Sequence, residues 1–132
     1  MGALLMNNAR VLIVDDESLI AHSLQAFLED EGMRVESVGS AEEALDLIRR
    51  GHSYDVCIMD LRLPGLDGNG AIRALHELCP ELRFIIHTGS VNYRLTEELS
   101  AMGTGEIPLF RKPLLDMALL ATKIRVLAYH PS

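Results

Sequence analysis

No apolar run in this sequence approaches the roughly 18 to 20 residues that a membrane span needs. The opening stretch, MGALLMNNAR, has no basic segment ahead of its short apolar patch, so an export signal is not expected either. Gly2 alone would invite N-terminal myristoylation, but Met6 stands where that signal carries a small hydroxyl residue. Cysteine is scarce. Cys57 lies inside an apolar run and Cys79 directly before Pro80, with no CxxC and no paired spacing, which points to two free thiols in a reducing, cytoplasmic compartment. Positive charge is scarce as well: 12 Lys plus Arg stand against 19 acids, for a net charge of −7, and no basic cluster is present. Direct binding of nucleic acid is therefore not expected, because neutralising phosphates takes concentrated positive charge. Repeats, low-complexity tracts and linkers are absent too.

What is present is a chain of 132 residues, 48% hydrophobic, enough for one well-buried core and too short for two ordinary domains. Val11 to Val14 is a short apolar run. Ile20, Leu24, Phe27 and Leu28 then recur at the spacing of one helical face, and Gly32 ends that helix. Arg34 to Val38 reads as a second strand. Ser40, with Glu43 three residues on, forms a capping box that opens a helix carrying Ala41, Ala44, Leu45 and Ile48, closed by Gly51. Val56 to Met59 is a third strand, residues 69–78 a third helix and Arg83 to His87 a fourth strand. Leu95, Leu99 and Met102 mark a fourth helix, Ile107 to Phe110 a fifth strand, and residues 114–129 a long fifth helix. Five strands alternating with five helices specify a parallel α/β sheet covered on both faces, since right-handed crossovers place helices there. A doubly wound, flavodoxin-like sheet of this size is most often ordered 2-1-3-4-5, which makes strands 1 and 3 neighbours at the point where the winding reverses.

Ligands bind outside the carboxyl ends of the strands at such a point. Asp60 ends the third strand, and Asp15 and Asp16 end the first. Neighbouring strands lie about 4.8 Å apart, so the three carboxylates should converge. Each alone has an ordinary explanation, because acids after a strand often cap the next helix. Together they form a cluster of like charge that raises its own pKa values unless a cation enters, and an all-oxygen set suits Mg²⁺. Strand 4 finishes with the hydroxyl of Thr88 and strand 5 with the ammonium of Lys112. A hydroxyl donor, a fixed cation, a metal site and a free carboxylate are the parts that moving a phosphoryl group needs. Asp60 is then the nucleophile, since a carboxylate attacks phosphorus without first losing a proton. Pro64, Gly65 and Gly68 provide the turn that leaves room above it.

The stretches VDD at 14–16, MDLRLPGLDG at 59–68, HTGS at 87–90 and RKP at 111–113 resemble the receiver domain of two-component response regulators. The resemblance spans Val11 to Tyr129 and implies a receiver domain over residues 9–130, preceded by a disordered extension over residues 1–8. It implies that Asp60 takes a phosphoryl group from a histidine kinase or histidine phosphotransfer protein. Asp16 and Asp60 would ligate Mg²⁺ together with the backbone carbonyl of Arg62, Asp15 would help through water, and Thr88 and Lys112 would contact the phosphoryl group. A cis bond before Pro113 is usual in the family. The domain would catalyse only its own phosphorylation and dephosphorylation, and would not otherwise be an enzyme.

Two departures from the family pattern bear on output. Leu109 stands where an aromatic usually turns inward on activation, and Phe110 cannot replace it because successive strand residues face opposite ways. The stretch between Thr88 and Lys112 is about two residues longer than family usage. The last helix is apolar around more of its circumference than a core stripe needs, which points to a target protein or a second copy docking on the fourth and fifth helices. With the chain ending at Ser132, a free-standing receiver and a piece of a longer regulator both remain open. The competing readings are a pseudo-receiver that binds partners without phosphorylation and an aspartyl phosphatase. The phosphatase usually needs a second Asp where this chain has Arg62.

Overall fold

Five strands become one sheet: β1 (Arg10–Val14), β2 (Arg34–Val38), β3 (Val56–Met59), β4 (Arg83–Thr88) and β5 (Leu109–Arg111). The structure is a computed structural model and describes residues 8–62, 68–89 and 107–129. All four strand pairings are parallel, and the order is β2-β1-β3-β4-β5, as expected. The helices are α1 (Ser18–Asp30), α2 (Ala41–Arg49), α3 (Gly68–Leu78) and α4 (Met117–Tyr129). The helix expected around Leu95, Leu99 and Met102 lies outside the described residues, as do Pro64 and Gly65, so four of the five expected helices are seen.

Strand alternation divides the buried side chains into two cores. Leu12, Val14, Cys57, Met59, Phe84 and Ile86 face α2 and α3, packing on Ala44, Leu45, Ile72 and Leu75. Val11, Ile13, Ile58 and Ile85 face the other way, onto Leu24 and Leu28 of α1 and Ile124 of α4. Each fully buried Leu, Ile or Phe contributes roughly 1.5–3 kcal/mol. That explains why the central strand β3, buried at all four positions, is a continuous apolar run. Leu109 packs with the first core and Phe110 with the second, as strand alternation requires. Cys57 is buried and Cys79 half-buried, and both are free thiols.

Local chemistry sets the boundaries. The Ser40 hydroxyl caps α2 by accepting the Glu43 N–H at 3.2 Å and donates to the Glu43 carboxylate at 3.0 Å. Gly32 and Gly51 take φ of 90° and 100° just past α1 and α2, where a side chain would be strained. Three expected boundaries are corrected. The last helix starts at Met117 rather than Leu114, because the Asp116 carboxylate accepts the Leu119 N–H at 3.0 Å and acts as the N-cap. β5 runs over 109–111 rather than 107–110, since Pro108 has no N–H to give the ladder, although its carbonyl accepts the Ile86 N–H at 2.9 Å. β4 reaches Thr88, one residue further than expected, because Thr88 pairs with Arg111.

At the amino end of the sheet, Arg10 and Asp55 clasp β1 to β3. The Arg10 backbone N–H donates to Asp55 Oδ2 at 2.8 Å, and its guanidinium reaches Oδ1 at 3.1 Å and Oδ2 at 3.3 Å.

Candidate functional site at the carboxyl edge of the sheet

Val14 and Met59 are register partners in neighbouring parallel strands, so the residues after them leave the sheet side by side. Those residues are Asp15 and Asp60, and the ladder still holds both. The Asp60 N–H donates to the Val14 carbonyl at 3.1 Å and the Asp15 N–H to the Val38 carbonyl at 3.0 Å. Helix capping does not account for the acids. Glu17 occupies the N-cap of α1, no side chain caps that helix, and Asp15 Oδ1 instead accepts the Glu17 N–H at 2.9 Å. One carboxylate oxygen each from Asp15, Asp16 and Asp60 falls within 4.8 Å of the others.

Lys112 arrives from the end of β5, its backbone N–H donating to the Thr88 carbonyl at 3.0 Å, and the bond to Pro113 is cis. Its ammonium lies 2.7 Å from Asp15 Oδ2 and 2.9 Å from Asp60 Oδ2, with all three side chains under a tenth exposed. A third contact, 2.5 Å to Glu17 Oε1, reaches an acid that is half exposed. Burial alone would lower the Lys112 pKa, but hydrogen bonds to Asp15, Glu17 and Asp60 outweigh it and hold the ammonium above its ordinary value. Asp60 Oδ1 accepts the Arg62 N–H at 2.9 Å, so each of its oxygens has a donor.

Asp60 is only 4% exposed, yet it helps to wall an open cleft of about 530 Å³ together with Asp16, Glu17, Arg62 and Lys112. The carboxylate is therefore enclosed by its partners and still faces the space from which a reactant would come. Asp15, Glu17 and Asp60 stand around the Lys112 ammonium with Asp16 beside them, so four carboxylates meet two cationic side chains, Lys112 and Arg62, and the balance favours cations. Three hard oxygen donors clustered this closely fit Mg²⁺, whose ligands sit about 2.0–2.1 Å from the ion, after a slight closing of the carboxylates.

Thr88 is fully buried at the end of β4, one strand from Asp60, and is not among the described residues that wall the cleft. Arg62 follows Asp60 at the rim and is exposed. Of the residues read from the sequence, Asp15, Asp16, Asp60, Arg62 and Lys112 are thus brought together, while Thr88 stands behind them. Glu17 was missed. As the third acid of the run DDE it looks like an ordinary first-turn helix residue, and only the fold places Lys112 against it.

The chain matches the family model described as the response regulator receiver domain over residues 11–125. It is 34% identical over 104 residues to the alginate biosynthesis transcriptional regulatory protein AlgB of Pseudomonas aeruginosa, covering 79% of this chain and 22% of that one. It is also 34% identical over 97 residues to the two-component response regulator PhoP of the same species, covering 74% and 43% respectively. The chain thus spans less than half the length of either relative. Among solved structures, a CheY-like receiver domain from Methanospirillum hungatei superposes with a TM-score of 0.82 at 28% identity, covering 92% of this chain and 94% of that one. A receiver domain from Clostridium thermocellum gives 0.77 at 30% identity, covering 92% and 94%. The strand order, the acids at the reversal point and these matches lead to one conclusion: the chain belongs to the response regulator receiver domain family.

Proposed function

We propose that this receiver domain is a phosphoacceptor switch in which Asp60 takes a phosphoryl group from a histidine kinase or histidine phosphotransfer protein. The observation that carries this reading is the contact between Lys112 Nζ and Asp60 Oδ2 at the wall of an open acidic cleft. An Asp60 oxygen attacks phosphorus, the P–N bond to the donor imidazole breaks, and its electron pair returns to the ring nitrogen. Lys112 keeps its charge throughout and offsets the negative charge that accumulates on the phosphoryl oxygens. Asp16, Asp60 and the Arg62 carbonyl would hold Mg²⁺, with Asp15 acting through water. Bound there, the ion would stabilise the same charge as a Lewis acid. Thr88, at the end of β4, would reach the new phosphoryl group by moving toward the cleft. A phosphoryl group adds about −1.5 to −2 charge, which draws the segments carrying Thr88 and Lys112 inward and shifts an existing equilibrium.

Residues 9–130 would form the receiver, and its turnover would be limited to its own modification and hydrolysis. Leu115, Leu119 and Val126 on and before α4 are half or more exposed, which supports docking of a target protein or a second copy there. Leu109, half-buried against the first core, replaces the usual aromatic, and this favours a second reading in which partners bind without phosphorylation. The test is labelling with Mg²⁺ and acetyl phosphate, followed by mass spectrometry. Wild type should gain one phosphoryl group and Asp60→Asn none, whereas equal labelling of the variant would overturn the assignment. Partner binding unchanged by phosphodonor would favour the second reading.

A further inference from the structure

A second cavity, of about 270 Å³, lies behind Lys112 on the α1 and α4 side of the sheet. Ile20, Leu24, Leu114 and Met117 form its apolar wall, and Lys112 and Pro113 separate it from the acidic cleft. His87 of β4 also lines it. That residue is 3% exposed, and among the described residues its Nε2 has no hydrogen-bond partner. A buried imidazole nitrogen without a partner is costly, whereas the Ser23 hydroxyl, also in the wall, sits at an exposed position, so His87 is the group that gains most from a ligand.

We propose that this cavity binds a small uncharged molecule with an apolar, ring-sized body and one hydrogen-bonding group directed at His87 Nε2. Size is the first argument: a cavity of about 150 Å³ lined by aliphatic side chains accepts benzene, so the larger volume here accepts a fused bicycle or a substituted ring. Charge is the second. Without a phosphodonor the Lys112 ammonium is shared among Asp15, Glu17 and Asp60, so its pull on an anion in this cavity is offset by those carboxylates. A cation would lie beside that same ammonium in an apolar pocket. Nε2 is covered in the structure, so the contact requires the ring to turn toward the cavity that it already lines. Burial and the neighbouring Lys112 favour the neutral imidazole, which suits a neutral ligand.

The test uses the 132-residue chain without Mg²⁺ or phosphodonor, so its outcome is independent of the phosphorylation reading. 2-Naphthol, naphthalene and 2-naphthoate are titrated while the NMR signals of the His87 ring and the Met117 methyl are followed. 2-Naphthol should shift both saturably and bind roughly two- to tenfold more tightly than naphthalene, the range one hydrogen bond supports. 2-Naphthoate should bind more weakly than 2-naphthol. His87→Phe should abolish the preference for the hydroxyl. Ser23→Phe, at an exposed α1 position on the cavity wall, should weaken both neutral probes while the thermal melt confirms folding. The proposal is overturned by the absence of saturable shifts, by equal affinity for the two neutral probes, or by preference for the carboxylate. It is equally overturned if the Met117 signal moves on dilution without any probe, since a second copy then covers the cavity.

Discussion

Replacing Lys112 by methionine keeps most of the stem and removes the charge. In the wild type the ammonium serves Asp15 at 2.7 Å and Asp60 at 2.9 Å, with the three side chains 9%, 3% and 5% exposed. Removing one partner of a buried pair leaves uncompensated charge and costs about 3–5 kcal/mol. The contact with Glu17, which is 54% exposed, adds at most about 1 kcal/mol because solvent screens it. For a domain of this size the loss lowers Tm by on the order of 10–20 °C. The Lys112 pKa is raised in the folded state, so its contribution is fully present below the ordinary value of 10.5 and is lost only as pH rises through the folded value. A measurement at neutral pH therefore captures all of it. Thermal and urea melts in a chelator should show the full deficit. Added Mg²⁺ should then raise the midpoint of Lys112→Met more than that of wild type, because the ion offsets the charge that the ammonium no longer does. The reasoning is refuted if the variant lies within about 1 kcal/mol of wild type in chelator, or if Mg²⁺ stabilises both proteins equally.

Other perturbations probe the scaffold and the second cavity. The folded-state pKa of His87 is lowered by burial and by Lys112, with Asp15, Asp60 and Glu17 opposing, so the unfolded chain binds more protons near neutrality. Stability should fall as pH drops below about 6.5, by at most about 1.4 kcal/mol per pH unit from this group. His87→Gln should flatten urea midpoints over that window, and an unchanged slope would discount the effect. Phe84→Ala removes the largest fully buried side chain from β4 and should cost about 3–5 kcal/mol in equilibrium unfolding. A loss below 1.5 kcal/mol would mean that the core closes around the gap. Ser40→Ala should cost about 1 kcal/mol through loss of the α2 cap, measured by the same method, with Ser40→Gly costing less.

The strand order and the main acids were legible because each rests on a local signal. VCIM followed by Asp60 reads as a doubly buried strand ending at an edge, and once β1 and β3 are neighbours, Asp15 must lie beside it. Ser40 with Glu43 announced α2 in the same way. The misses came where a local pattern overran a boundary or where only the fold supplies the neighbour. Leu114 and Leu115 extend the apolar run of the last helix, so counting apolar residues passed over the cap at Asp116, and Leu115 is in fact almost wholly exposed. Glu17 looks like any acid in a first helical turn until Lys112, 95 residues away, is placed against it. Strand alternation puts His87 on the same face as Ile85, opposite Phe84 and Ile86. It could not indicate that α1 and the approach to α4 leave a hollow on that face.

The Arg10–Asp55 clasp adds to the β1–β3 ladder in holding the two strands that carry the acids in register. β1 and β3 are joined by a rigid guanidinium fork at one end and carry Asp15 and Asp60 at the other, so neither can slide along its neighbour without breaking that fork. Shear between the two central strands is thus opposed by both the ladder and the fork, which sets the backbone positions from which the two carboxylates project. Adjustment to a guest between them then falls to the side chains of Asp15 and Asp60, turning about fixed backbone anchors, and not to the sheet.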